Sequence, residues 1–544
     1  MSSPQRVFIY DTTLRDGAQA EEISFSLDDK LRITEALDDF GVHYVEGGWP
    51  GSNPRDEAYF KAVKSLKLVN AKIAAFGSTH HPKNKPGDDH NVKLLLEAKT
   101  PVVTVVGKTW DMQAEVVLGV SLKRNLEIIH DTVSYIAKRV DEVVFDAEHF
   151  FDGYRKNPEY AMTALKTAFE AGAKTLCLCE TNGGALPFEV EAVVKSVVSA
   201  MPRVNIGIHC HNDSDNGVAN TLVAVRAGAM QAQGTINGVG ERCGNANLCS
   251  IIPNLQLKMG YKIVPSANLK KLKELSNLVY ELANLSHRPH QPYVGKSAFA
   301  HKGGIHVAAV RKANAAYEHI EPKLVGNTQR ILISDLSGKG NILSKAEEFG
   351  IDLKSRDDAA VTILKQLKDL EGAGFQFEGA EASFELLMRK ALGQWKKKFE
   401  VERARVVSNF SDTTGANWAE AVIKLRMPDG TQTHSVAEGN GPVNALDKAL
   451  RSALVKYYPQ LSDVELHDFK VRILDERSKT AARTRVLIES GDKDGRWGTV
   501  GVSANVIEAS WQALVDSLEY KLQKDAQKSH SKKKAAKKKP GAKS

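Results

Sequence analysis

The chain has 544 residues, 42% hydrophobic and 26% charged, the composition of a soluble globular protein with two or three domains. No apolar run approaches the roughly 18 residues of a membrane span, and the opening "MSSPQR" has no apolar leader core, so a cytoplasmic protein without membrane partners is expected. The net charge of +8 resides in the last 19 residues, which hold eight lysines and no acid; the body is neutral, and a nucleic-acid partner is not expected because a basic arm alone binds polyanions weakly.

From residue 6 to about 237, short β-branched runs alternate with amphipathic helical stretches. The runs are "VFIYDTT", "HYVEGGW", "KIAAFGST", "VVTVVGK", "EVVFDAE", "TLCLCET", "NIGIHCH" and "AMQAQGTI". Apolar runs flanked by helices predict parallel strands buried on both faces. Eight such units within residues 1–265 predict an α/β fold, a (β/α)8 TIM barrel. An open doubly wound sheet would carry a Gly-rich phosphate turn after its first strand, and "TTLRDGAQ" is not one.

Residues 266–389 read as helical linker subdomains, with one polar loop, "RPHQPYVGKSAFAHKGGIH". Within 390–525 an internal repeat is visible: Val436 matches Val500 and Val443 matches Ile507, each copy running from a strand through a small-residue turn into a helix. Two copies predict a pseudo-twofold α+β domain with a ligand cleft between its halves. Residues 526–544 read as a disordered Lys-rich tail. The five cysteines, Cys177, Cys179, Cys210, Cys243 and Cys249, lack disulfide or zinc-ribbon spacing and are expected as reduced packing thiols.

Barrel enzymes place their chemistry at the carboxyl ends of the strands. Those ends carry Arg15, Asp16, Glu46, Ser78, Lys108, Glu148, Thr181, His209, His211 and Asn237. In "HCHND", His209 and His211 are two apart and so point the same way on a strand. With an acid such as Asp16 they make a mixed N/O site for a divalent ion with open positions for substrate. In the loop "NGVGERCGNANL" Glu241 and Arg242 are expected to pair, and Asn245 adds an oxygen donor.

Together, "DTTLRDGAQ", "HCHND" and "GVGERCGNANL" resemble the signatures of the metal-dependent Claisen-condensing enzymes, the isopropylmalate, homocitrate and citramalate synthases of the DRE-TIM metallolyase family. The resemblance covers residues 6–525, and "EGGWPGSNP" and "GKSAFAHKGGIHVAAV" look most like its citramalate branch. It implies condensation of acetyl-CoA with pyruvate, with Asp16, His209, His211 and Asn245 around a Mg, Mn or Zn ion. It implies Arg15 over the keto oxygen, Glu148 as the strand-5 glutamate, and Thr181 in substrate binding. His306 and Tyr317 would reach an active site, that of a partner subunit in a homodimer, with His301 assisting. The C-terminal repeat would bind an end-product amino acid, isoleucine. The alternative within the group is an isopropylmalate synthase acting on 2-oxoisovalerate. One departure is Glu22, where close relatives are expected to carry Gly.

Overall fold

The computed structural model describes residues 5–353, 356–410, 417–475, 479 and 481–537. It divides into two compact units, Met1–Phe299 with Ile320–Gln329, and Ala300–His319 with Arg330–Ser544.

The first unit is the expected closed parallel barrel. Its strands are β1 (Phe8–Asp11), β2 (Tyr44–Gly48), β3 (Lys72–Ser78), β4 (Val102–Lys108), β5 (Glu142–Glu148), β6 (Thr175–Glu180), β7 (Asn205–Cys210) and β8 (Gln231–Gly234). Closure comes from β1 against β8, with Ile9 opposite Ala232. Alternate residues serve two cores. Tyr10, Tyr44, Ala74, Val102, Val144 and Cys177 fill the interior, while Ile9, Val45, Val103, Phe145, Leu178 and Ile208 pack outward beneath the helices. The first helix, Leu27–Phe40, starts on a capping box between Ser26 and Asp29 and stops at Gly41, whose φ of 97° only glycine adopts freely.

The barrel unit does not stop at residue 265. Leu272, Leu275 and Val279 of helix Leu272–Leu282 belong to its outer core. The chain leaves the unit after Phe299 and returns for Ile320–Gln329. There Val325 is fully buried, and Asn327 Nδ2 donates to the carbonyls of Tyr293 and Gly295, both at 2.9 Å. The stretch expected as one linker is therefore shared between the two units.

In the second unit, β9 (Ala300–His301) pairs in parallel with β10 (Arg330–Ile331). Helices Lys339–Glu348, Asp357–Gly372 and Glu381–Ala391 close over Ile342, Ile363, Leu367 and Phe384. Two antiparallel three-stranded sheets follow: β11 (Glu400–Asn409), β12 (Trp418–Arg426) and β13 (Gln432–Gly439), then β14 (Glu465–Ile473), β15 (Thr484–Asp492) and β16 (Gly495–Ser503). Each sheet leads into a helix, Pro442–Leu454 or Val506–Lys537. The repeat is thus three strands and a helix, longer than the strand-turn-helix visible in sequence.

The two copies are not equivalently covered. Val436 on β13 is 56% exposed, whereas its counterpart Val500 on β16 is 1% exposed, because Phe377, Ala380 and Phe384 pack on that face of the second sheet. The last helix enters the stretch expected as a disordered tail, through Lys537; alanine and lysine are strong helix formers. The rest of that tail, 538–544, lies outside the described residues. Among the described residues no helix is long and apolar enough to cross a membrane.

Candidate metal and active site

At the end of β1 the backbone turns on Asp11. Its carboxylate accepts from the Thr13 amide at 2.9 Å and the Thr13 hydroxyl at 2.8 Å. The Thr13 hydroxyl in turn accepts from the Ile236 amide, tying this loop to the one after β8. Burial pushes the Asp11 carboxyl up to about 7. The turn aims Arg15 and Asp16 into the barrel mouth.

Arg15 is held on three sides. Its Nε donates to Glu46 Oε2 at 2.6 Å, its Nη1 lies 3.4 Å from Asp16 Oδ2, and its guanidinium sits 3.9 Å over the Phe76 ring. Glu46, fully buried on β2, also accepts from Tyr10 Oη at 2.7 Å and Thr12 Oγ1 at 2.6 Å. Burial alone would make this guanidinium easier to deprotonate, but the carboxylates of Asp16 and Glu46 outweigh it, so the cation is secure.

Asp16 Oδ2 lies 3.1 Å from His209 Nε2 and 3.9 Å from His211 Nε2. The alternation of β7 turns both rings inward while Cys210 packs in the outer core. Burial would raise the Asp16 carboxyl, yet Arg15 and the two imidazoles hold it well below the usual carboxylate range. Burial would lower His209, but Asp16 wins and raises it. Burial, then the neighbouring His209, push His211 down to about 4, so it is a neutral imidazole with a lone pair to offer.

These three groups present one carboxylate oxygen and two imidazole nitrogens within 4.8 Å of one another. Asn245 stands over them, its Nδ2 2.9 Å from Asp16 Oδ2 and 3.2 Å from His209 Nε2. Its Oδ1 is buried with no partner; turning the amide over brings that oxygen to the cluster as a fourth donor. The mixed N/O set, with the orphaned amide oxygen beside it, fits a divalent cation.

Sequence reasoning gave Glu46 no specific role and missed Gln233. Gln233 Oε1 accepts from His209 Nδ1 at 2.9 Å, and Gln233 Nε2 donates to Asp146 Oδ1 at 3.2 Å. An amide oxygen accepts only, so Nδ1 carries the proton and Nε2 faces Asp16 free to ligate. The available signal was "QAQG": two glutamines at i, i+2 on a strand buried along its whole length.

Arg15, Asp16, Glu148, Thr181, His209 and His211 line one cavity of about 490 Å³, with Trp49 and Phe76 as an apolar wall. Glu148 is ion-paired with Lys108. Thr181 Oγ1 accepts from the His149 amide at 2.9 Å. Arg242 pairs with its neighbour Glu241 as expected, Nη1 lying 3.7 Å from Oε2. Its Nε and Nη2 bind both oxygens of Asp213, at 2.8 and 2.9 Å, and Nη2 also reaches the Thr181 carbonyl at 2.8 Å. The guanidinium thus keeps the expected pair and adds the shorter fork to Asp213.

His301, His306 and Tyr317 belong to the second unit. His301 is buried, with Nε2 3.1 Å from Glu318 Oε1. His306 and Tyr317 stack with ring centroids 4.2 Å apart and 28° between planes, and Tyr317 is half-exposed.

The HMGL-like family model matches residues 6–279, the whole of the barrel and its site. The chain belongs to the HMGL-like family. Beyond the barrel, a homocitrate synthase post-HMGL domain-like model matches residues 293–373 and the LeuA allosteric (dimerisation) domain matches 378–522. The chain is similar along nearly its full length to HMGL-like relatives. It is 55% identical to the (R)-citramalate synthase of Geobacter sulfurreducens, over 97% of this chain and 99% of the relative. Against the (R)-citramalate synthase of Aquifex aeolicus the identity is 52%, over 96% and 98%. A probable 2-isopropylmalate synthase of Methanopyrus kandleri is 32% identical, over 94% and 97%.

Proposed function

We propose that this chain is an (R)-citramalate synthase, joining acetyl-CoA to pyruvate and releasing citramalate and CoA. The observation that carries the reading is the identity of 46–55% to five relatives of that name, against 32% for an isopropylmalate synthase, on a chain with the full Arg15–Asp16–His209–His211 cluster.

Asp16, His209, His211 and Asn245 would hold a divalent ion, which when bound would supply Lewis-acid polarisation of the keto acid. Arg15, fixed by Glu46, meets the negative charge that grows on the keto oxygen as the new carbon–carbon bond forms. Thr181 binds the keto acid. Glu148 is the carboxylate for the methyl proton of acetyl-CoA, with Lys108 steering it. The resulting enolate carbon attacks the keto carbon of pyruvate; water then adds to the thioester carbonyl, and CoA leaves as its thiol. His306, stacked on Tyr317, serves proton transfer from a partner subunit, and His301 supports it. The LeuA allosteric (dimerisation) match supports a homodimer that answers to an end product. We assign isoleucine as that effector, the product of a pyruvate route through 2-oxobutanoate, in the reducing cytoplasm that the unpaired cysteines suit.

CoA release measured with pyruvate, 2-oxobutyrate and 2-oxoisovalerate tests the reading. Pyruvate is expected to give the highest kcat/KM, and Asp16→Ala to abolish release while the protein still folds, as read by circular dichroism. Preference for 2-oxoisovalerate would overturn it in favour of the isopropylmalate reaction.

A further inference from the structure

Beneath the catalytic cluster the barrel interior holds another set of ligand atoms that the condensation does not use. Cys177 and Cys179 are two apart on β6, and both belong to the inner core, so both turn into the barrel. Asp146 on β5 is the register partner of Cys177, which brings its carboxylate to the same side. One Asp146 oxygen and the two Sγ atoms lie within 4.8 Å of one another. Both thiols are free of disulfides. Cys177 is sealed, but Asp146 and Cys179 line the substrate cavity, so the group opens to the mouth of the barrel.

We propose that Asp146, Cys177 and Cys179 form a second cation site, selective for thiophilic divalent ions such as Cd2+ or Zn2+. The donor sets sort the ions. The upper cluster has a carboxylate and two imidazoles, while the lower has two sulfurs and one carboxylate, which soft ions prefer and Mg2+ refuses. Binding replaces the two S–H protons, which leave to solvent, with two sulfur–metal bonds, so no oxidant or reductant is involved. A dication then faces two thiolates and a carboxylate, a pairing that makes the buried charge tolerable.

Occupancy has a consequence for the site above. Asp146 Oδ1 accepts from Gln233 Nε2 at 3.2 Å, and Gln233 holds His209 Nδ1. An ion that draws on the Asp146 carboxylate weakens it as an acceptor for Gln233 and so loosens the ring of His209. Thiophilic ions are therefore inhibitors that act from below the substrate, by weakening the hold of His209 on the ion at Asp16.

Cadmium titrated into the full-length chain saturated with Mg2+, in a Cys243→Ser background that removes the exposed thiol, tests this. The thiolate-to-cadmium charge-transfer band in the ultraviolet is expected to saturate at one equivalent, and Cys177→Ala or Cys179→Ala to remove it. Asp146→Asn, which keeps both sulfurs, is expected to weaken binding at least tenfold. Absence of the band, or its persistence in both alanine variants, overturns the site. If the alanine variants do not fold, the cadmium-113 resonance of the Cys243→Ser protein decides: a two-sulfur shift supports the site, and a shift for nitrogen and oxygen ligands alone overturns it.

Discussion

Gln233 accepts the Nδ1–H of His209 at 2.9 Å and so presents the other ring nitrogen to Asp16. Partners of this kind set both tautomer and ring angle, and their loss costs roughly 10–100-fold in metal affinity. Gln233→Leu is therefore expected to raise the dissociation constant for Mn2+ by about that factor. Chelator competition on the protein without substrate measures it; an unchanged constant would mean that packing alone orients His209.

Glu46 carries no substrate contact in the proposed mechanism, yet it holds Arg15 by its Nε at 2.6 Å. Glu46→Gln keeps the shape and removes the charge. A donor aimed at developing negative charge is worth about 10²–10³ in kcat, and a misaimed Arg15 is expected to lose about 10². Steady-state kinetics with pyruvate should show the loss in kcat, with KM changed little. A change confined to KM would point to ground-state binding instead.

The barrel was legible because its strands are continuous apolar runs with a polar residue at each carboxyl end, and HxH is a strand-period signal. What was hidden depends on register between strands far apart in sequence. Glu46 meets Arg15 across 31 positions, and Gln233 meets Asp146 across 87. The return of Ile320–Gln329 to the barrel unit was equally invisible, since its anchors are one buried valine, Val325, and the side chain of Asn327. The repeat was seen only where β13 and β16 enter their helices. The flanking strands share the alternation common to any half-buried sheet and so carry no mark of kinship.

Glu22 sits at φ 67°, a left-handed conformation that a side chain with a Cβ disfavours. This accounts for the sequence expectation of glycine there. Glu22→Gly is expected to stabilise the chain by about 1 kcal/mol, read from urea unfolding. Destabilisation would show that the Glu22 side chain supplies more than its backbone costs.

Glu519 on the last helix is buried, with Lys390 Nζ 3.5 Å away. Burial pushes its carboxyl up to about 7, against the opposing pull of Lys390. A carboxyl raised on folding favours the neutral form. Its contribution is complete below its unfolded value near 4.5 and is lost as pH rises through about 7. Glu519→Gln is expected to match the wild type in acid and to exceed it increasingly up to neutrality. Urea midpoints across that range measure the difference, and parallel curves for the two proteins would contradict the assignment.

The excursion of the chain through 300–319 means that three peptide junctions join the two units, after residues 299, 319 and 329. One protease nick at any single junction leaves them covalently linked. A truncation after Phe299 would fare worse than its length suggests. It discards Val325 from the outer core, and Asn327 from the carbonyls of Tyr293 and Gly295. A separately expressed barrel therefore has to extend at least through Gln329, carrying with it the loop that bears His301, His306 and Tyr317.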